Sequence, residues 1–344
     1  MKDRNDWQTA ITATILLLLF SISTTTPSLA QGVSKDILTP PEEMLYKVDD
    51  DVYHVYQKPT WFGWMLRGPS NLKSVWDRTF RKDNLDALAS IAASSALLIA
   101  YDEEILLGSQ KLARKVGLIS DSKSGREINY LFKEQVNGVD LPIYVPANTN
   151  STLYYIGDGY TQLGIVSSMV GYGLWNNDYR ALSAASQNVE ALFITGIMIQ
   201  LFKRTTGREA PFRRTEEGGK WQWFPNQEDY NKDVPKYDAF PSGHLATAMA
   251  ATTVFADNYP DHAYIKPVGY TLMGLLAFGM LNNGVHWAGD YPLGIAIGYT
   301  SAKVVTSRIK KRGVIVSERT DKAKWQFVPT MIGTAPAIGY RYTH

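Results

Sequence analysis

Between residues 85 and 306, long apolar runs alternate with short polar breaks. Leu85–Ala100 consists mostly of Ala, Leu, Ile and Ser and carries one charge, Asp86. Apolar residues on every side predict a helix buried nearly all round. Asp102-Glu103-Glu104 ends that run, and Lys111–Gly117 reads as a short amphipathic helix. Further apolar helices are predicted over Tyr160–Trp175, Leu182–Phe202, Ser242–Phe255, Pro267–Leu281 and Tyr291–Val305, with Glu190 near the middle of the second. No period-two alternation interrupts this core, and no internal repeat is visible. The pattern predicts an all-α fold, a bundle of about six helices with polar motifs at helix ends.

The flanks read differently. Lys2 and Arg4 precede an apolar run, Ile11–Phe20, and Ser28-Leu29-Ala30 offers small residues for cleavage. Residues 1–30 therefore read as a secretory signal peptide, which implies a periplasmic or exported protein. Residues 31–84 look irregular or only partly helical, with Pro40-Pro41 and Asp49-Asp50-Asp51 as loop signals. Trp61, Phe62, Trp64 and Met65 form an aromatic cluster suited to packing or to a membrane surface. Ile119–Pro146 reads as a long loop with short elements. The helical domain is expected over 85–306. Residues 307–344 follow it as a charged linker and a C-terminal arm, the arm reading as a short hairpin or an extended segment laid on the bundle.

A membrane span needs about 20 mostly apolar residues. The runs here are shorter or diluted by Gly, Ser, Thr and Asn, and the mean hydropathy is -0.19. The expectation is a soluble or peripherally attached bundle. With 344 residues, 45% of them hydrophobic and 20% charged, the chain is long enough for a sizeable core. A net charge of +2 gives no electrostatic footprint for nucleic acid. The absence of cysteine excludes a disulfide framework, a zinc–thiolate site and a cysteine nucleophile. Oligomeric state is not legible.

Three polar stretches carry candidate chemistry. Lys203-Arg204-Thr205-Thr206-Gly207-Arg208-Glu209-Ala210-Pro211 closes one helix. Pro241-Ser242-Gly243-His244 opens another: proline is accepted at a helix start, serine is a good N-cap, and glycine lets backbone approach a ligand. A hydroxyl, free N–H groups and an imidazole then gather at a helix N-terminus, a natural anion site. His286-Trp287-Ala288-Gly289-Asp290 precedes a third helix, and a separation of four residues puts His286 and Asp290 on one face. Cations to hold oxygens, one imidazole to attack and another to protonate a leaving group suit phosphate chemistry.

In this order the three stretches resemble the type 2 phosphatidic acid phosphatase (PAP2) superfamily, which also includes bacterial non-specific acid phosphatases and vanadium haloperoxidases. Its pattern is KxxxxxxRP, then PSGH, then SRxxxxxHxxxD. The second motif is complete; the third keeps His286 and Asp290, and the first keeps Lys203 and Pro211. The resemblance covers about residues 85–306 and implies a helical phosphatase without cofactor or metal. It implies His286 as nucleophile, Asp290 holding its other ring nitrogen, and His244 as the acid that protonates the leaving oxygen and then activates water. Lys203, Ser242 and the Gly243 N–H would bind the phosphoryl oxygens. The implied substrate is a phosphorylated small molecule or a phospholipid.

Two positions depart from the pattern. Ala210 stands at the arginine of the first motif, and Gly279-Met280 at the serine–arginine pair of the third. Arg204, Arg208, Arg213 and Arg214 flank the site as replacements, and Arg208 is the nearest candidate for phosphate binding. Asn282 and Asn283 could donate neutral hydrogen bonds. The segment Phe212–Phe240 is expected to cover the site, with Trp221, Trp223 and Phe224 shaping a leaving-group pocket and Tyr237 and Phe240 packing beside it. Beside the phosphatase stand two alternatives: a weak or inactive phosphate- or phospholipid-binding member, and a vanadium haloperoxidase.

Overall fold

A computed structural model describes residues 43–49, 52–60, 62–118, 128–136, 139–313, 324–332 and 335–343. The expected signal peptide lies outside the described residues.

Ten α-helices carry the fold among these residues: α1 (Gly63–Thr79), α2 (Leu85–Ala100), α3 (Asp102–Lys115), α4 (Thr149–Tyr155), α5 (Gly159–Asn176), α6 (Tyr179–Thr206), α7 (Gln227–Lys232), α8 (Gly243–Asn258), α9 (Ile265–Asn283) and α10 (Tyr291–Thr306). The predicted apolar runs fall inside α2, α5, α6, α9 and α10, and the run from Ser242 starts on the N-cap of α8. The acidic triplet at 102–104, which follows the end of the first run, opens α3, because carboxylates suit the positive end of a helix.

Strands occur outside the bundle. β1 (Glu43–Asp49) and β2 (Val52–Gln57) form an antiparallel hairpin, and β5 (Lys310–Gly313) adds to its other edge, with Tyr53 opposite Arg312. Residues 43–84, expected to be irregular or partly helical, thus hold a hairpin and a 17-residue helix. β3 (Ile128–Val136) and β4 (Val139–Pro146) pair where a long loop was expected. β6 (Lys324–Ile332) and β7 (Ala335–Thr343) make the C-terminal hairpin.

The core is α6, α8, α9 and α10, with α8 packed against the other three. Gly294 and Gly298 of α10 let that helix approach α8 closely. A Cβ at either position would overlap the backbone oxygen of Ser242 or Ala246. Small residues one turn apart are a common device for such contact, and here they press the start of α8 against the start of α10. Glu190, in the middle of α6, is fully buried and held by Arg67 at 3.0 Å, Arg308 at 2.7 Å and Asn71. A buried charge needs such partners, and this one ties α1 and the end of α10 to α6.

One expectation is reversed. Helix α2 is not buried nearly all round: only 6% of residues in the window Lys82–Ala100 are buried, and Leu85 and Leu97 are more than half exposed. An all-round apolar helix can be satisfied by lipid as well as by protein, and little protein covers this one. Lys82–Ala100 and Tyr179–Thr206 are the two described helices long and apolar enough to cross a membrane. The aromatic cluster at the start of α1 splits: Trp64 packs edge-on against Phe193, Phe62 and Met65 are exposed, and Trp61 lies outside the described residues.

Candidate active site

The three polar stretches meet at one end of the core. Helix α6 ends at Gly207, whose left-handed φ of 53° caps the helix while its N–H returns to the Lys203 carbonyl. Thr206 Oγ1 donates to the Phe240 carbonyl at 3.2 Å, and the Ala239 N–H to the Arg208 carbonyl at 3.0 Å, joining the first stretch to the second. The Ser242 N–H donates to the Asp290 carbonyl at 2.9 Å, joining the second to the third.

Ser242 is the N-cap of α8, fully buried, and Gly243 is the first helical residue. Lys203 Nζ lies 4.0 Å from where a Cβ on Gly243 would stand, so the ammonium sits beside the helix N-terminus. Its present partner is Asp238, 3.1 Å away. The backbone donors of the helix start and this cation face the same space, as anion binding requires.

His244 and His286 face each other, ring centroids 6.2 Å apart and planes at 66°. His286 is buried, with Nδ1 3.3 Å from Asp290 Oδ2, which leaves Nε2 for chemistry. The turn Ala288–Asp290 is a 3-10 helix, not an α-helical turn, yet it brings the two side chains together as the spacing implied. Asp290 is itself fixed: Oδ2 accepts the Trp287 N–H at 2.8 Å, and Oδ1 accepts Arg208 Nη1 at 2.7 Å. Burial lowers the His244 pKa from its ordinary value; Asp158 opposes that shift, and His286 and Lys203 add to it.

Arg208 is fully buried behind the histidine–aspartate pair. Nη1 binds Asp290, while Nη2 binds Asp102 Oδ2 at 2.6 Å and the Gly218 carbonyl at 2.7 Å. Its guanidinium lies over the rings of Trp221 and Trp287. Asp102 completes the frame by accepting the Gly289 N–H at 2.8 Å through Oδ1. The guanidinium therefore holds the carboxylate that holds His286, and its Nε has no protein partner.

The other candidate replacements are also engaged elsewhere. Arg204 binds Gln227 and lies over Tyr230, Arg213 pairs with Asp233, and Arg214 pairs with Glu103 at 2.8 Å. Asn282 and Asn283 form a buried amide network with Asn150. The pattern's arginine positions are filled by apolar groups: Ala210 and Met280 are both buried in the same cluster, and Met280 Sδ lies 3.7 Å from Ser242 Oγ. A side chain at Gly279 would press on Leu153, the contact that seats α9 against α4.

Of the cover segment, Trp221 packs on Phe240 and Arg208, and Tyr237 stacks on Tyr230, but Trp223 and Phe224 are exposed. Glu209, fully buried, folds this segment by accepting the N–H groups of Thr215 at 2.9 Å and Lys220 at 3.1 Å. Sequence reasoning missed Asp102, Asp158 and Asp238, each of which contacts a site residue across a long chain separation. Among the described residues, no group of three or more His, Asp or Glu side chains is placed to hold a metal ion.

Comparison with known proteins agrees with this geometry. The model of the PAP2 superfamily matches residues 185–313. A lipid A 1-phosphatase of Porphyromonas gingivalis is 36% identical over 62 residues, which is 18% of this chain and 14% of that protein. The chain thus matches about one seventh of the length of that curated relative. No solved structure matches. Residues 185–313, the part that matches the PAP2 superfamily, contain all three site stretches.

Proposed function

We propose that the protein is a phosphatase that hydrolyses a phosphorylated lipid, or a related phosphomonoester, through a phosphohistidine on His286. The carrying observation is the pair of imidazoles facing each other across 6.2 Å beside the N-terminus of α8 and the Lys203 ammonium. Nε2 of His286 attacks phosphorus as the bond to the leaving oxygen breaks, and protonated His244 gives its proton to that oxygen. Neutral His244 then takes a proton from water, which attacks phosphorus and breaks the P–N bond, releasing phosphate. Asp290 supports the positive charge that develops on His286. Lys203, the Ser242 hydroxyl and the Gly243 N–H hold the phosphoryl oxygens. These donors supply the charge stabilisation that a metal supplies elsewhere.

Membrane association fits both the exposed apolar surface of α2 and the lipid phosphatase to which part of the chain is similar. The full chain is expected to sediment with membranes. Leu97→Glu, at an exposed position of α2, should weaken retention without lowering thermal stability; equal retention would remove this helix from the contact.

Phosphate release measures the activity. Purified protein should release phosphate from phosphatidic acid and from a chromogenic ester, undiminished by a chelator. Loss of all release on chelation would overturn the metal-free route. A weak or binding-only member is the second reading, favoured by Met280 against Ser242 and by buried Ala210. One lost oxyanion donor typically costs about 2.7–4 kcal/mol. If the parent is inert and Ala210→Arg with Met280→Arg creates turnover, the second reading holds. Robust turnover by the parent excludes it.

A further inference from the structure

We propose that Asp158 is a positioning residue for His244, making a second His–Asp pair that mirrors His286–Asp290; the proposal rests on the phosphatase reading for its catalytic consequence. Asp158 is buried in the turn between α4 and α5, with Oδ2 3.8 Å from His244 Nε2. Its other oxygen, Oδ1, accepts the Tyr160 N–H at 2.9 Å as the N-cap of α5. The positive end of α5 favours negative charge at this position.

The turn is pressed onto His244 from several directions. The Tyr154 ring lies 4.2 Å, centroid to centroid, from the imidazole. A Cβ on Gly157 would stand 2.8 Å from the His244 Cβ, so only glycine permits this approach. Thr247 Oγ1, which reaches the Gly157 carbonyl at 2.7 Å and the His244 carbonyl at 2.9 Å, ties the turn to the first turn of α8. The carboxylate is therefore held at a set place relative to the ring.

The consequence follows from charge. The groups facing His244 are Asp158 from the α4–α5 turn, His286 from the turn before α10, and Lys203 from α6, with Asp238 paired to Lys203. Burial, with His286 and Lys203 nearby, opposes the imidazolium; the Asp158 carboxylate favours it. With Nε2 turned to Asp158, Nδ1 is the nitrogen left to serve the leaving oxygen. Two His–Asp pairs then divide the work: one directs Nε2 of His286 to the attack, the other sustains a proton for the leaving group. Pairs whose surroundings push two like groups apart are how one site runs acid and base chemistry together.

Asp158→Asn tests this, because asparagine caps a helix about as well as aspartate. The His244 ring titration is followed by NMR in both proteins, assigned with His244→Gln. The His244 midpoint should fall in the variant by about one unit or more, since an opposite charge at this distance favours the charged form. Hydrolysis should fall about 30-fold or more for an alkyl phosphate, whose leaving oxygen needs a proton, and less than about 3-fold for a dinitrophenyl phosphate, whose oxygen does not. The falling limb of kcat/KM should move to lower pH. An unchanged His244 midpoint, or equal losses on both esters, would leave Asp158 a helix cap and overturn the proposal. A parent inert towards both esters, with the His244 midpoint still shifting in the variant, would refute the phosphatase reading and uphold the pairing.

Discussion

His286→Ala is expected to lower kcat by about 10⁴-fold or more, the scale of loss when a nucleophile that acts as part of a unit is removed. The other imidazole there, His244, is assigned to the leaving oxygen. Ser242 caps α8 and, among the described residues, has no adjacent base beyond His244 to make its hydroxyl a nucleophile, and no cysteine exists in the chain. The fold should survive. Asp290 keeps the Trp287 N–H and Arg208, so deletion of the imidazole leaves its carboxylate bonded. Steady-state phosphate release with a parallel melting curve checks both halves. Comparable activity in parent and variant would remove His286 from the chemistry.

Arg208→Met should be the most destabilising single change at the site, by about 3–5 kcal/mol, the cost of leaving a buried charge without its partner. Asp102 and Asp290 are both fully buried, and this one guanidinium pairs with each. Burial raises the Asp102 pKa even with Arg208 beside it, so removal of the cation pushes it further the same way. Arg208→Lys should not rescue, because a single ammonium cannot reproduce a fork that spans two carboxylates and the Gly218 carbonyl. Adding Asp102→Asn to Arg208→Met should recover part of the loss, since it removes one stranded charge. Urea unfolding of the three variants measures this. A loss below about 1 kcal/mol for Arg208→Met would show that the frame is not held by its charges.

The apolar runs were legible because helical bundles write their core in uninterrupted apolar sequence. Tyr291–Val305 and Ser242–Phe255 differ from the observed helices by no more than three residues at either end. The surroundings of a run were not legible: α2 looks like a core helix in composition, yet protein covers little of it. The site divides the same way. His286 with Asp290, and Ser242 with Gly243 and His244, are local motifs, and local spacing places them. The partners of Arg208 were not legible, because Asp102 is 106 residues away and Asp290 82 residues away. Asp158 stands between two glycines in sequence with nothing to mark it; its approach to His244 comes from the packing of α4 and α5 on α8. Met280 and Ala210 show in sequence that two arginines are absent, but only the packing shows that apolar side chains occupy the space.

Formation of a bond between His286 and phosphorus is the central claim, and trapping that bond tests it most directly. Protein mixed with radiolabelled substrate and quenched rapidly in alkali should carry label that survives base, is lost in mild acid and maps to His286. The label should be absent from His286→Ala. Turnover without label at any quench time, or label that persists in His286→Ala, would contradict it.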